Sequence, residues 1–536
     1  MKDEKQRSQR QRLSSFVPGD KVYVAEAGRG PSQNSSPNTN MLRSRFTKAS
    51  PALRRCLATV QTPKPAPKRQ GDISDSFVSL SGAEQTPLPD RFRQLKLELV
   101  RGREKDIVLS WQRLLHGLQR ENEIIARKGP EVIPQINFAD LDNGLDRRVK
   151  GEILKRGVVV VHGVIPEREA RGYKTCIEEY VKKNPQTRAF PPHDPQVYEL
   201  YWSESQIKAR SHPSMLKLQR FLMSQFWWSP SVNARISLDV PLSYADRLRI
   251  RQPGDAAFAL GPHIDGGSVE RWEKDGYGRG HVYDKVFEGR WEQYDAWDAA
   301  ARVDAVNNLY NGLGACSAFR AWQGWVSMSR VGPEEGTLLT YPLMMSTAYT
   351  LLRPFFRPID NSKKGRAFLD EKNWEFTAGD QMTSDLQGAH PGHGQELNDE
   401  LHPHLELSRT MTHVPEIKPG AFVAWHCDTI HAVDKVHKGQ ADSSVLYIPV
   451  CPVTDLNAEY LLRQRQAFRE GTPGPDFPGG EGESKHIDRP TEKVLWQWTN
   501  TEGRRAMGLE QLAVDNSAMP GARAVVERFN ATLGLH

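Results

Sequence analysis

The sequence predicts a mainly β, α+β protein in which an antiparallel sandwich or jelly roll carries helices on its outside. Three observations lead there. Short runs rich in apolar and β-branched residues, at 247–251, 318–328, 337–341, 421–425 and 444–450, read as strands bounded by turn residues. They lack the regular strand–helix alternation that a parallel sheet requires. Finally, 38% hydrophobic residues with 13 Trp among 536 positions supply a large core built from rings.

The elements follow in chain order. Residues 1–90 are rich in Ser, Gln, Asn, Pro and Arg and read as a disordered basic tail, because they carry too little apolar surface to offset the entropy of ordering. Inside it, 41–69 places Arg43, Arg45, Lys48, Arg54 and Arg55 among Leu42, Phe46, Leu53 and Leu57 without an acid, the composition of a mitochondrial presequence. Asp3 and Glu4 lie in the segment before it, so either translation starts at Met41 or the stretch is a solvated arm. A helical lead-in over 91–133 repeats Phe92, Leu95, Ile107, Leu114 and Leu118 at helical spacing. The main domain spans 134–460. It opens with a helix near 149–155 and the buried strand 157–161, closed by a turn and followed by a helix over 167–182. Within it, the polar stretch near 361–412 reads as an insertion between core strands, a lid. Residues 461–536 read as a C-terminal helical extension.

Composition narrows the function. A net charge of +6 from 72 basic and 66 acidic residues is too small an excess to argue for nucleic acid. The five cysteines, Cys56, Cys176, Cys316, Cys427 and Cys451, show no CxxC spacing, so neither a zinc site nor a disulfide framework is expected and an intracellular setting, cytoplasmic or mitochondrial, fits. No apolar run reaches the roughly 18 residues of a transmembrane helix, and no secretory signal stands at Met1. The oligomeric state is not legible.

The segment 260–268, Leu-Gly-Pro-His-Ile-Asp-Gly-Gly-Ser, carries the chemistry. On a strand, His263 and Asp265 point to one face, where an imidazole nitrogen and a carboxylate oxygen can meet a single cation. A third ligand far along the chain would complete a facial set and leave the opposite positions open, and His431, at the end of the apolar run 420–430, suits that role. His426 competes for the metal but occupies a strand-interior place, where a histidine bonded to its neighbours is expected. His390, His393, His402 and His404 lie in the polar insertion and read as solvated. Phe226, Trp227 and Trp228 read as core, whereas Trp272 is core or pocket wall. Arg247, Arg249 and Arg251 alternate along one strand. They form a solvated basic face, or else Arg251 turns inward at the Gln252-Pro253-Gly254 turn.

Three segments in order resemble the phytanoyl-CoA hydroxylase and ectoine hydroxylase group of Fe(II)/2-oxoglutarate dioxygenases. They are Arg251-Gln252-Pro253-Gly254 with His263-Ile264-Asp265, the stretch 322–338 through Pro333-Glu334-Glu335-Gly336, and 420–431. The run 244–272 is similar, more closely still, to the family known as domain of unknown function 1479. The resemblance spans about 134–452 and implies a double-stranded β-helix, a cupin-like jelly roll. It further implies Fe(II) on His263, Asp265 and His431, 2-oxoglutarate as cosubstrate, O2, and oxidation of a second substrate that it does not identify. With no carrier, nucleic-acid or peptide-binding module in the sequence, a small metabolite, an amino acid or carboxylic acid, is expected.

One departure stands out. The resembling hydroxylases place an Arg about eleven residues beyond the distal His, where its planar fork pairs with the distal carboxylate of 2-oxoglutarate. Here no Arg occurs between His431 and Arg463. Arg251 and Arg320 are the expected substitutes, with Gln323 as a hydrogen-bond donor; Lys435 and Lys438 rank lower, in a loop expected to face solvent. Two rivals stay open: a cupin-like metal enzyme that does not use 2-oxoglutarate, and a catalytically inactive jelly-roll binding protein.

Overall fold

Eight strands divide between two sheets: β1 (Leu248–Arg251), β2 (His263–Ile264), β3 (Trp322–Ser327), β4 (Leu338–Thr340), β5 (Thr412–His413), β6 (Phe422–His426), β7 (His431–Val433) and β8 (Ser443–Tyr447). The computed structural model describes residues 68–81, 86–257, 259–313 and 315–535, all within the unit Pro65–His536. The presequence-like stretch up to residue 67, with Met41 and Cys56, lies outside the described residues.

In the larger sheet the order is Gln135–Asn137, Val158–His162, β6, β3, β8, β1, Val197–Tyr198 and Ala189–Phe190; in the smaller it is Gln395–Glu396, β2, β7, β4 and β5. Every ladder among β1–β8 is antiparallel. The fold is thus α+β with a large, mainly antiparallel sheet, as the strand order predicts. Val158 to Val161 are fully buried, because their strand is covered on both faces, and each contributes on the order of 1.5–3 kcal/mol. All six residues of β3 are buried as well. Gly324 lets β3 approach β6, since a Cβ there would stand 2.5 Å from the Phe422 ring and 2.8 Å from the Val423 carbonyl.

Helices wrap this core. α1 (Glu104–Lys128) buries Ile107, Trp111, Leu114 and Leu118 on one stripe and packs on α2 (Met345–Leu352). α3 (Asp455–Glu470) and α4 (Pro520–Leu533) close a further hydrophobic cluster against the paired strands Ile236–Leu242 and Cys451–Thr454. The expected boundary at 460 therefore falls inside α3. Among the described residues no helix is long and apolar enough to cross a membrane.

Two expectations change. The stretch 361–412 is not a polar lid: Trp374, Leu386, Leu397, Leu405 and Leu407 enter the same core as α1, and Gln395–Glu396 pairs with β2. Apolar residues scattered singly among polar ones become one face only when the chain folds back on a neighbour. Residues 68–81, expected within the disordered tail, are held in place. Asp72 caps the turn Ile73–Ser76, Phe77 is buried, and the Ser76 carbonyl accepts from Gly394 N.

Candidate metal centre

Neighbouring strands of the smaller sheet bring the metal-ligand candidates together. His431 on β7 lies directly opposite His263 on β2, with ring centroids 4.1 Å apart. Asp265 follows at the end of β2, where Gly266 and Gly267 take φ of 73° and 91° and turn the chain sharply. His263 Nε2 is 3.7 Å from Asp265 Oδ1, and His431 Nε2 is 3.5 Å from Asp265 Oδ2. One atom from each residue falls within a 4.8 Å cluster, the spacing of donors around one small cation.

The imidazoles are oriented by their other nitrogens. His263 Nδ1 bonds the Gly261 carbonyl at 2.8 Å and His431 Nδ1 bonds the Thr429 carbonyl at 3.0 Å. Each contact makes Nδ1 the donor and leaves the Nε2 lone pair aimed at the cluster, the arrangement that metal-ligating histidines use. Burial, followed by the neighbouring His431, pushes His263 down to about 4, so it stands neutral at physiological pH. For Asp265 burial acts against ionisation, but the adjacent His431, His263 and Arg320 hold its carboxyl well below the usual range. Two imidazoles and one carboxylate on one side of a pocket suit a divalent metal with open coordination positions. His263, Asp265 and His431 are thus brought together as the spacing predicts.

The supporting contacts are tertiary. With the Gln323 amide turned so that both ends are satisfied, its nitrogen donates to Asp265 Oδ2 at 2.7 Å and its oxygen accepts from the Trp425 indole at 3.2 Å. Arg320 lies 4.0 Å from the same Oδ2. Arg271 donates to the Asp265 backbone carbonyl at 2.8 Å and to Asp428 Oδ1 at 2.8 Å, which ties the Asp265 turn to the loop leading into His431. Asp428 also receives Arg302 at 2.6 Å. No local pattern in the sequence marks the ion pairs of Arg271 and Arg302 with Asp428, because Asp428 lies more than a hundred residues from both arginines.

A pocket of about 960 Å³, open to solvent, reaches the cluster between the two sheets. Its walls include Arg247, Arg249, Trp325, Trp425, Tyr447 and, from the N-terminal segment, Phe77, whose ring meets His263 edge-on at 4.8 Å. Here the arginine expectation is corrected. The face that carries Arg249 and Arg251 is buried, not solvated, since they expose 2% and 0%. Arg251 does turn inward, but its guanidinium is occupied by Asp255 at 2.5 Å and by the carbonyls of Asp434 at 2.6 Å and Lys435 at 3.2 Å. That leaves Arg249 and Arg247 as the members of the alternating set that line the pocket. Trp272 belongs to the core, where its indole donates to Leu351 O at 3.0 Å.

The remaining histidines fall outside the centre. His426 sits in the strand interior, stacked on Trp227 at 4.9 Å, with Nε2 on Ala296 O and Nδ1 accepting from Asp428 N. His402 and His404 are buried beside Tyr349 rather than solvated.

A family model described as Gig2-like matches residues 86–509. The uncharacterized protein YbiU of Escherichia coli (strain K12) is 31% identical over 402 residues, which cover 73% of this chain and 88% of that protein. The fold is similar to that of GlcNAc Inducible Gene 2, GIG2 (DUF1479), from Candida albicans, with 32% identity and a TM-score of 0.74 over 84% of this chain and 96% of that one. It is also similar to the hypothetical protein JW0805 from Escherichia coli, with 29% identity and a TM-score of 0.66 over 80% and 99% of the two chains.

Proposed function

The chain belongs to the Gig2-like family, and on that footing we propose that it is a non-haem Fe(II)/2-oxoglutarate-dependent oxygenase acting on a small metabolite. The observation that carries this reading is the His263, Asp265 and His431 cluster, with both Nδ1 atoms tied to backbone carbonyls and both Nε2 atoms directed to one point. The division of β1–β8 into two sheets, β1, β3, β6 and β8 in one and β2, β4, β5 and β7 in the other, supports reading the core as a double-stranded β-helix.

Bound there, Fe(II) with 2-oxoglutarate and O2 would convert a substrate C–H bond to C–OH while 2-oxoglutarate becomes succinate and carbon dioxide. The chain's own residues do the rest. His263, Asp265 and His431 occupy one side of the metal and keep the pocket side free. Gln323 fixes the Asp265 carboxylate and Arg271 fixes its backbone. Arg249 takes the distal carboxylate of 2-oxoglutarate. It stands on β1 directly opposite Val445 of β8, the strand that follows His431. Among the described residues its guanidinium makes one hydrogen bond, to the Gly336 carbonyl at 3.0 Å. Phe77, Trp325 and Trp425 narrow the approach and limit water near the metal.

The cupin-like rival drew its support from the missing downstream arginine, which Arg249 supplies from the adjacent strand. The test is anaerobic titration with Fe(II) and 2-oxoglutarate. The wild type is expected to develop the weak visible metal-to-ligand charge-transfer band and His263→Ala to show none. Iron binding without a band would return the cupin-like reading, and no metal binding would sink the oxygenase.

A further inference from the structure

Arginines near the centre differ in what their guanidinium groups hold. Arg251, Arg271 and Arg302 each meet a buried carboxylate within 2.8 Å. Arg247 and Arg320 do not. Among the described residues neither side chain makes a hydrogen bond; Arg247 lies 3.7 Å from Asp246 Oδ1, and Arg320 lies 4.0 Å from Asp265 Oδ2. Both are largely buried, with 13% of each side chain exposed. A guanidinium withdrawn from water without a full set of acceptors is costly unless a ligand completes it.

Aromatic rings hold both in place. Arg320 lies over Tyr244 at 5.5 Å and Arg247 over Phe477 at 4.9 Å. Tyr244 is itself fixed, stacked on Tyr460 at 5.1 Å and donating to Asp476 at 2.9 Å. Stacking restrains the planar forks while leaving their N–H edges available, which suits a carboxylate.

The charges leave room for one more anion. The pocket is lined by three guanidinium groups, Arg247, Arg249 and Arg320, and by two carboxylates, Asp246 and Asp265. Adding a divalent metal and doubly charged 2-oxoglutarate leaves that balance unchanged, one positive charge in excess. A monocarboxylate neutralises it, whereas a phosphate ester, with close to two charges at neutral pH, overshoots.

We propose that Arg247 and Arg320 form the carboxylate subsite for the primary substrate, which is therefore a small monocarboxylic acid whose body packs on Phe77, Trp325 and Trp425. Because Arg320 stands beside Asp265, the carbon presented to the metal lies close to the carboxyl group. This inference rests on the oxygenase reading for its metal and cosubstrate, but the subsite itself is made of protein groups and can be examined without them.

The experiment measures binding on the full chain, loaded anaerobically with Mn(II) and 2-oxoglutarate and, separately, metal-free. The probes are butanoate and 3-phenylpropanoate, their amides, and 2-phenylethyl phosphate, followed by calorimetry. At least one acid is expected to bind about tenfold or more tighter than its amide, the worth of a charge-assisted pair. Arg247→Met should shrink that preference to about twofold with Mn(II) and 2-oxoglutarate affinity kept; Arg320→Met should shrink it likewise in the metal-free chain, and Arg320→Lys, which restores the charge, should recover part of it. Arg249→Met should do the reverse, weakening 2-oxoglutarate and sparing the acid preference. No acid preference in the wild type, a preference that survives both Met variants, or tighter binding of the phosphate ester would each overturn the subsite. If metal and cosubstrate fail to bind while the arginine-dependent preference persists in the metal-free chain, the oxygenase reading falls and the subsite stands.

Discussion

At the scale of single residues, the centre separates groups that would touch the metal from groups that steady those that do. Gln323 belongs to the second kind, since it bridges Asp265 and the Trp425 indole. Gln323→Ala is expected to weaken Fe(II) binding by roughly 10–100-fold, as loss of an outer hydrogen bond does elsewhere. A metal titration that showed no change would remove Gln323 from the site. Arg249 and Arg251 make a sharper contrast, being two residues apart on one strand. Arg249→Met should raise the 2-oxoglutarate dissociation constant by about tenfold to a hundredfold with little effect on unfolding, given one charge-assisted pair lost. Arg251→Met should leave cosubstrate affinity alone but cost about 3–5 kcal/mol in denaturant unfolding, because it removes the cation that faces buried Asp255. Local sequence explains why the candidate metal ligands were legible and these roles were not. His263 and Asp265 reach one point because a strand repeats every two residues, and His431 was expected because an apolar run delivers it. Arg249 and Arg251 share that same parity, so only the contacts of Arg251 with Asp255, Asp434 and Lys435 tell them apart.

At the scale of elements, the segment 68–81 stands out, since it precedes the family match beginning at residue 86 yet contributes Ile73, Ser76 and Phe77 to the pocket. It is fastened at several points: Lys68 Nζ to Asp476 O at 2.9 Å, Gly479 N to Arg69 O at 2.8 Å, Arg188 to Gly71 O at 2.8 Å, and Ser79 N to Glu396 at 3.0 Å. A truncation that removes residues 1–67 should therefore keep the rate of 2-oxoglutarate decarboxylation without substrate. Removing residues 1–81 should raise it severalfold, by opening the metal side of the pocket to water. Equal rates in the two truncations would mean that Phe77 does not shield the site. Composition classed this segment with the tail because Ile73, Phe77 and Val78 are too few to form a core alone. They bury themselves on surfaces that other parts of the chain provide, and the stretch 361–412 misled for the same reason.

At the scale of the whole molecule, buried histidines couple stability to pH. Burial pushes His402, His404 and His426 each down to about 3. Their folded values lie below the unfolded ones, so the unfolded chain binds more protons in acid. Stability is complete above about pH 6.5 and falls as pH drops toward 3, by at most about 1.4 kcal/mol per histidine per pH unit. Glu483, raised by burial to about 7, works in the opposite direction between about pH 7 and 4.5 and offsets one histidine's share. Urea midpoints are expected to fall between pH 7 and 5 and the slope to shallow in His402→Phe; a flat profile would show that these histidines are not held neutral. By itself the sequence determined the α+β class with its antiparallel strands, the pairing of His263 with Asp265 on one face and the family resemblance. Each rests on residues close in the chain or on short segments in a set order, where strand geometry dictates which side chains share a face. Tertiary structure alone decided which arginines line the pocket, that residues 68–81 form part of its wall, and that Asp428, Arg271 and Arg302 lock the two ligand-bearing loops together. Those outcomes depend on partners brought together from distant segments, where burial and charge pairing select the arrangement and no local pattern encodes it.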